Sequence, residues 1–359
     1  MTRQNDRELQ KIREAIDKID EKIVSLLEER LKIAHEVGKY KRKRDIKIED
    51  SSREKEVLSR VEKLARDINK DFLADIYRRI ILESKRAQRQ GKIAILGPRG
   101  TFSEEAAYRF MTSPALVLAR DLEEIFNFVI NGEVKFGVIP IENSIEGSVH
   151  LAQELLIKRD VKVYSEIILE INHCLLTLEG VSLKDIKEVI SHPQALAQCK
   201  QLIRDLGAKT RNAPSTADAA RGIRTKKLKN SAAIAPLASA RLYNLKVLKE
   251  NVQDVKENKT RFLVISQTDH KPTGKDKTSI ILYLRNRPGA LYEALKIFAE
   301  NGINLTKIES RPSRRALGDY VFFIDLDGHR KEKNIKEVLE NLRLTTSFLK
   351  VLGSYPRVE

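Results

Sequence analysis

Two cations interrupt an apolar stripe in the first predicted helix. The stripe recurs every three or four residues, as in a helix that packs against another helix, and consists of Leu9, Ile12, Ile16, Ile19, Ile23, Leu26, Ile33 and Val37. Arg30 occupies a position of this stripe, and Lys41 lies only about 20° further around the helix. Buried cations are costly unless an anion meets them. The spacing therefore predicts an anion-binding site or, alternatively, ion pairs with glutamates of neighbouring helices.

Further polar groups fall on the same side of the predicted bundle. A second helix begins near Glu54, and a third ends in a stripe that turns polar at Ser84 and Gln88. Arg13 precedes Arg30 by about 25 Å along the first helix and lies roughly 100° off its face. If Arg13 joins this site, we therefore expect it to come from a second chain.

Five polar motifs follow predicted strands in the middle of the chain. They are GPRGTFSEEAA (97–107), PIENSIEGSV (140–149), SHPQALAQC (191–199), STADAA (215–220) and NKTRF (258–262). Open α/β sheets bind ligands where strands end and helices begin. The first motif lacks the pattern of a nucleotide-phosphate loop. Ser103 and Ser215 could instead be helix N-caps, and His192 could be a general acid or a turn residue.

Composition narrows the classes of protein. The 359 residues suffice for two or three domains, and the net charge of +16 favours anionic partners. No apolar run approaches the roughly 18 residues of a membrane span, and the charged N-terminus does not resemble a signal peptide. Cys174 and Cys199 alone cannot form a disulfide framework or a cysteine-rich zinc site. We expect a cytoplasmic protein without a membrane partner, metal or cofactor.

The chain shows three successive patterns. Residues 1–90 are helical in pattern, and from Lys92 short β-branched runs alternate with helices, which is typical of α/β architecture. Residues 267–277, polar with Pro and Gly, indicate a linker. The strand–helix–strand–strand–helix–strand order that follows is ferredoxin-like. We predict a multidomain protein with domains at 1–91, 92–267 and 278–359.

The first domain resembles the all-helical chorismate mutase family over residues 5–90. The matching residues are Arg13, Arg30, Lys41, Asp50, Arg53, Glu54, Ser84 and Gln88. The resemblance implies three helices in an intertwined dimer, with Arg13 lent to the partner's site. Chorismate would rearrange to prephenate without a nucleophile or base, so the site must hold the folded substrate and stabilise charge on its ether oxygen.

This resemblance also implies roles. Arg13 and Arg30 would hold the substrate carboxylates with bidentate guanidinium groups. Lys41 and Gln88 would donate to the ether oxygen, and Glu54 would fix the ring hydroxyl. The remaining substrate-binding positions are Asp50, Arg53 and Ser84.

The middle domain resembles prephenate dehydratase over residues 92–266. The resemblance rests on PIEN, SHPQALAQC, STADAA and the Thr-Arg-Phe of NKTRF. It implies two α/β lobes like those of periplasmic binding proteins, with prephenate between them losing CO2 and hydroxide to give phenylpyruvate. Thr260 would donate to the leaving hydroxyl. The implied substrate-binding residues are Glu142, Asn143, Ser144, Ser191, Gln194, Gln198, Ser215, Thr216, Arg261 and Phe262.

Local periodicity refines this set. Gln194 and Gln198 share one helix face if the helix is regular. Thr260 and Arg261 are consecutive, so on a regular strand they point to opposite sides. Either the backbone is irregular just before Thr260 or Arg261 acts from behind the site; we favour Thr260 and Phe262 facing the cleft.

The last domain resembles an ACT domain over about 278–355, on RPGALYEAL (287–295) and KIESRPS (307–313). Pro288-Gly289 precedes a helix whose N–H groups can hold a carboxylate, although in isolation it is equally a simple turn. Attached to a dehydratase, it implies feedback binding of L-phenylalanine between paired domains. The implied effector-binding residues are Gly289, Ala290, Leu291, Asn304, Glu309, Ser310, Arg311 and Pro312.

The leading prediction is a bifunctional isomerase and lyase of L-phenylalanine biosynthesis, assembled as a homodimer or as dimers paired into tetramers. One alternative keeps only the dehydratase, with a helical dimerisation domain; another is a regulatory amino-acid-binding protein. A nucleic-acid-binding protein would need a clustered basic face and exposed aromatics. Aromatic residues make up 6% of the chain, and acidic residues are interleaved throughout, so we expect no nucleic-acid partner.

Overall fold

The computed structural model describes residues 2–44, 46, 48, 50–88, 91–284, 286–313 and 320–358. The outer ends of the first and last predicted domains, Met1 and Glu359, lie outside these residues. The chain divides into two compact units, one of residues 1–90 with 110–113 and one of residues 91–109 with 114–359.

Three helices form the first unit: α1 (Thr2–Lys43), α2 (Ser51–Leu64) and α3 (Lys70–Gln88). The Asp50 side chain caps α2 by accepting a hydrogen bond from the Arg53 backbone N–H at 2.9 Å. α1 and α3 approach closely at Gly38, where a Cβ atom would lie 2.4 Å from the Gln88 carbonyl oxygen. The polar ends of α1 and α3 are thereby brought together.

The apolar stripe of α1 is largely uncovered in this unit. Ile12, Ile16, Ile19 and Ile23 are 50–55% exposed. Within its three helices, the side chains described as buried are Ala34, Val61, Ala74, Ser84 and Ala87, most of which are small. Among the described residues of the unit, nothing covers the N-terminal part of the stripe.

The second unit contains the remaining elements. The first group is β1 (Lys92–Leu96), α4 (Phe102–Phe110), β2 (Ala115–Ala119), α5 (Leu122–Ile130), β3 (Phe136–Asn143), β4 (Gly147–Ser148), α6 (His150–Lys158) and β5 (Lys162–Glu170). The second group is β6 (Cys174–Thr177), β7 (Glu188–Ser191), α7 (Pro193–Ala197), α8 (Lys200–Leu206), β8 (Lys209–Asn212), α9 (Thr216–Thr225), β9 (Ser231–Ala235), α10 (Leu237–Tyr243) and β10 (Lys246–Lys249). The third is β11 (Lys259–Ser266), β12 (Asp276–Tyr283), α11 (Ala290–Glu300), β13 (Leu305–Pro312), β14 (Tyr320–Asp327), α12 (Lys333–Thr345) and β15 (Phe348–Pro356).

Two of its three sheets form the predicted pair of lobes. The first sheet has the strand order β2-β1-β3-β11-β5, with β4 beside β3, and the second has the order β10-β6-β9-β7-β8. The chain crosses from the first sheet to the second through residues 171–173 and returns through residues 250–258. Both crossings and the C-terminal end of β3 therefore lie near the junction of the lobes.

The third sheet has the order β13-β14-β12-β15, which confirms the ferredoxin-like prediction. One of its faces packs on α11 and α12, with Phe298 and Leu342 in the core. The other face shares a core with the first sheet through Tyr283, Phe323 and Tyr355. The third sheet thus rests directly on the sheet that carries Thr260.

Two of the predicted cap and turn assignments hold and one is wrong. Ser215 caps α9, accepting from the Asp218 N–H at 2.9 Å, and the His192 ring accepts from the Gln194 N–H at 3.3 Å at the start of α7. Ser103 is not an N-cap: α4 already begins at Phe102, and the Thr101 hydroxyl accepts from the Glu104 N–H. Among the described residues, no helix combines the length and hydrophobicity needed to cross a bilayer.

Candidate active sites

A cavity of about 630 Å³ lies among the three helices of the first unit. Its lining contains all but one of the predicted mutase residues: Arg30, Lys41, Asp50, Arg53, Glu54, Ser84 and Gln88. Arg13 does not line the cavity and is exposed on α1. Its contribution to the site of a second chain stays a prediction.

Two cations of the cavity, Arg30 and Lys41, have neutral partners. Arg30 donates to the Ser84 hydroxyl and to the Ile80 carbonyl, the latter at 3.4 Å. Lys41 donates to the Ile48 carbonyl at 3.0 Å. Burial lowers the pKa of Arg30 below its ordinary value, so an incoming carboxylate would compensate its lost hydration. Among the described residues, neither Arg30 nor Lys41 forms an ion pair, so the glutamate-pairing alternative finds no support there.

The cavity wall is strongly basic. Its cations are Arg30, Lys41, Arg53, Arg60 and Lys85, against the carboxylates Asp50 and Glu54. Glu54 is paired with Lys85 at 2.7 Å. Sequence reasoning missed Lys85, although it lies three positions before Gln88 on the same helix and was therefore within reach of the same face.

Three of the predicted dehydratase residues, Asn143, Gln198 and Thr260, meet in a buried hydrogen-bond network. Asn143 at the end of β3 donates to the Thr260 hydroxyl at 2.9 Å and to Asn258 at 2.7 Å. Its side-chain oxygen accepts the backbone N–H groups of Ile145 and Glu146, both at 3.0 Å. These two bonds fix which end of the amide points at Thr260. Asn143 is thereby aligned with the hydroxyl of the neighbouring strand.

Gln198 belongs to the same network. Its side-chain oxygen accepts from Asn258 at 3.0 Å and lies 3.2 Å from the His173 Nε2 atom. Because that oxygen can only accept, Nε2 carries the proton. Burial, partly offset by the Gln198 hydrogen bond, lowers the pKa of His173. Sequence reasoning missed His173 and Asn258, although Asn258 opens the quoted NKTRF motif.

The other predicted hydroxyls and amides take different positions. Ser144 accepts from the Lys259 N–H at 2.9 Å, beside Thr260. Ser191 is fully buried and donates to the Ile234 carbonyl at 2.6 Å. Gln194, in the first turn of α7, is exposed, whereas Gln198, the residue that caps its C-terminus, is buried. The last two predicted residues, Ser215 and Thr216, form the start of α9.

Arg261 lies behind the network. Its guanidinium contacts Glu166 at 2.8 Å and Asp325 at 2.7 Å, on the side of the third sheet. This arrangement corresponds to the predicted alternative in which Arg261 acts from behind Thr260. Phe262 is buried, and the pairing of β11 with β3 shifts register between Arg261 and Phe262.

A cavity of about 860 Å³ lies beside the lobe junction. Its lining includes Arg99 and Phe102 of the GPRGTF loop, Asn172 of the segment between the lobes and Arg241 of α10. Arg99 pairs with Glu104 at 2.7 Å. None of the predicted dehydratase residues line this cavity, but the Phe102 ring contacts that of His173 at 5.6 Å between centroids. None of the residues of this loop are among the predicted site residues.

The predicted effector residues fall into two groups. Glu309 accepts from Ser148 at 2.7 Å, and Arg311 donates to Gln153 at 2.7 Å, so both face the first sheet. Ser310 and Pro312 alternate with them, are exposed, and point to the other side. Near that side, Gly289 caps α11 with φ 83°, and Ala290 and Leu291 follow it in the first turn of the helix. Asn304 donates to Asp327 at 2.8 Å.

Within the described part of the chain, no group of three or more His, Cys, Asp or Glu residues is arranged to hold a metal ion.

Comparison with protein families assigns all three regions. The chorismate mutase type II model matches residues 12–89, the prephenate dehydratase model residues 93–270 and the ACT domain model residues 278–344. The bifunctional chorismate mutase/prephenate dehydratase of Aquifex aeolicus is 40% identical over 98% of both chains. The chain belongs to the bifunctional chorismate mutase/prephenate dehydratase family. It has the helical, two-lobed α/β and ferredoxin-like regions expected of that family.

Two further relatives match about three quarters of the chain. A prephenate dehydratase of Methanocaldococcus jannaschii is 44% identical over 72% of this chain and 96% of its own length. The solved prephenate dehydratase of Arthrobacter aurescens, in complex with L-Phe, is 33% identical, with a TM-score of 0.69 over 74% of this chain and 90% of that one.

Proposed function

We propose that this bifunctional chain converts chorismate to prephenate in its helical region and prephenate to phenylpyruvate between its α/β lobes, under feedback inhibition by L-phenylalanine. The observation that carries the proposal is the gathering of seven predicted mutase residues around one cavity of the first unit, together with the network of Asn143, Gln198 and Thr260 in the second unit. We assign the three domains to residues 1–91, 92–267 and 278–359.

The mutase cavity supports a reaction by positioning. Arg30 and Lys41 would each exchange a neutral partner for an anionic substrate group. Chorismate is a dicarboxylate that rearranges in one concerted step, so the site needs complementary charge rather than a nucleophile or a cofactor. Glu54, which is paired with Lys85, would accept a hydrogen bond from the ring hydroxyl of chorismate. Gln88 would donate to the ether oxygen without depending on pH.

The dehydratase network supports assistance to a leaving hydroxide. The Thr260 oxygen accepts from Asn143, which leaves its own hydrogen to donate to the departing hydroxyl of prephenate. Loss of CO2 from the opposite ring carbon supplies the electron pair, and aromatisation drives the reaction. The buried, mostly neutral surroundings would leave the departing carboxylate poorly solvated.

We propose a homodimer through α1, with dimers able to pair further. The half-exposed isoleucines of α1 support it, because water-exposed apolar stripes of this length normally bury against a partner helix. An antiparallel arrangement of two such helices could bring Arg13 of one chain to the cavity of the other. We also propose a cytoplasmic location, supported by two cysteines that are unpaired and buried.

We propose that L-phenylalanine binds where α11 begins, near the exposed face of β13. The N–H groups after Gly289 would hold its carboxylate. Ser310 and Pro312 are exposed on the matching side of β13 and would complete the site across a pair of domains.

Two single variants test whether one chain holds two independent sites. Arg30→Ala should abolish formation of prephenate from chorismate but leave the conversion of added prephenate unchanged. Thr260→Ala should do the reverse. Both should keep the mass of the native assembly in light scattering. Loss of both activities in either variant, with the fold intact, would contradict two separate sites.

A further inference from the structure

The two strands that carry the dehydratase network present charged residues on their opposite face. In the ladder between β11 and β3, Thr260 pairs with Asn143 and Arg261 pairs with Glu142. Because neighbouring strand residues point to opposite sides, Arg261 and Glu142 lie directly behind Thr260 and Asn143. Any displacement of this charged pair therefore moves the backbone that positions the network.

Arg261 is held by three partners, two of them in the third sheet. Its guanidinium contacts Glu166 at 2.8 Å, Asp325 of β14 at 2.7 Å and the Tyr355 hydroxyl of β15 at 2.9 Å. Burial alone would lower the pKa of Arg261, but Tyr355, Asp325 and Glu166 raise it overall. Glu166, whose side chain is only 1% exposed, is also paired with Lys277 of β12. The positive charge of Arg261 is therefore tied to the position of the third sheet.

Glu142 is held by the strand that carries the predicted effector residues. Lys307 of β13 pairs with Glu142 at 2.6 Å and with Glu309 at 3.1 Å. Glu309 in turn accepts from Ser148 at 2.7 Å, and Ser148 lies beside Glu142 in the β3–β4 ladder. One face of β13 thus contacts the strands of the dehydratase site, while Ser310 faces the proposed effector site.

We propose that Arg261 and Glu142 transmit effector binding from the third sheet to Thr260 and Asn143. Arg261 is then a positioning residue rather than a substrate ligand. Buried ion clusters contribute little net stability compared with apolar packing, but they fix the register of the elements they join. A ligand that shifts β13 by a fraction of an ångström would move Lys307, and through Glu142 the end of β3. This inference rests on the proposed feedback inhibition.

Two substitutions in the intact chain would break this link at positions outside both the dehydratase site and the proposed effector site. Lys307→Met removes the charge that holds Glu142, and Asp325→Asn removes the charge that holds Arg261 while keeping the side-chain size. Glu340→Gln, an exposed carboxylate of α12 in the same sheet's helical layer, is the matched control. For each protein we would measure L-phenylalanine binding by calorimetry, dehydratase inhibition by L-phenylalanine, and thermal unfolding as a check of folding.

We expect both link variants to bind L-phenylalanine as the native protein does but to need about tenfold more of it for half-inhibition, or to reach only partial inhibition, because allosteric coupling is commonly of this size. The control should match the native protein. A third variant, Arg261→Lys, should lower dehydratase kcat with little change in KM, since substrate binding is not its task.

The results that would overturn the inference are distinct from those that would overturn the proposed function. Native-like inhibition curves in Lys307→Met and Asp325→Asn, or parallel loss of binding and inhibition, would exclude the link. An unaltered chain that forms phenylpyruvate but neither binds nor responds to L-phenylalanine would instead remove the feedback proposal, and the link with it. If one variant fails to fold, shown by the loss of a cooperative thermal unfolding transition, the other decides.

Discussion

Thr260 owes its proposed role to the orientation of one amide. The Asn143 oxygen is occupied by two backbone N–H groups, so its nitrogen must donate toward Thr260 and Asn258. A hydroxyl that already accepts a hydrogen bond is a better donor, because hydrogen bonds in series polarise one another. The strand register therefore supplies a directed donor at a position where the sequence shows only a threonine.

Replacing Thr260 by valine keeps the shape of the side chain and removes this donor. We expect the dehydratase kcat of Thr260→Val to fall by roughly 10²–10⁴-fold, the usual range for a proton donor in the transition state. Thr260→Ser should retain most activity, and mutase activity should be native in both. Stopped assays with added prephenate measure the effect. A Thr260→Val enzyme within a few-fold of native would show that the residue serves packing only.

We expect His173 to make stability depend on pH. Burial lowers its pKa in the folded state, whereas an unfolded histidine titrates near about 6.5. Below that pH the unfolded chain binds the additional proton, so stability is complete above about pH 6.5 and is lost as the pH falls. We expect the thermal midpoint of the native protein to drop more between pH 7.5 and 5.5 than that of His173→Gln.

The exposed His150 provides a matched control for this measurement. His150→Gln should show the pH dependence of the native protein. Equal pH dependence in His173→Gln and the native protein would mean that His173 can be protonated without loss of folding.

At the scale of elements, the apolar stripe of α1 extends beyond the part that the rest of its unit covers. Placing a carboxylate in its exposed stripe should prevent two copies from packing. We expect Ile19→Glu to reduce the mass of the assembly in light scattering and to remove most mutase activity, because Arg13 would no longer reach a partner's cavity. Dehydratase activity should remain.

Lys22→Glu introduces the same side chain outside the apolar stripe and serves as the control. It should keep the native mass and both activities. If Ile19→Glu also keeps the native mass together with mutase activity, α1 is not the dimer interface.

Periodicity predicted the elements well, because helices and strands depend on neighbouring residues. The stripe of α1, the approximate start of α2, the end of α3 and the order of elements in the ferredoxin-like region were all readable. The partners of Arg261 were not, since Asp325 and Tyr355 belong to strands brought there only by the packing of two sheets. His173 was missed because it lies in the short segment between β5 and β6, outside every quoted motif, and meets Gln198 only in the folded chain.

At the scale of the whole molecule, the net charge of +16 says little about function. Many cations lie in exposed pairs such as Lys39–Glu36 and Arg120–Glu124, which contribute little and are screened by salt. The informative cations are the partly buried ones, Arg30 in the helical cavity and Arg261 between two sheets. Burial, rather than number, distinguishes the cations that we propose to bind substrate or to transmit effector binding.

The central claim is that one chain performs two consecutive reactions and is inhibited by their end product. The most direct test supplies chorismate alone to the purified full-length protein and follows prephenate and phenylpyruvate separately, with and without L-phenylalanine. We predict that prephenate forms first and phenylpyruvate follows, and that L-phenylalanine suppresses phenylpyruvate formation. Phenylpyruvate formed only from added prephenate, with chorismate left unchanged, would contradict the account.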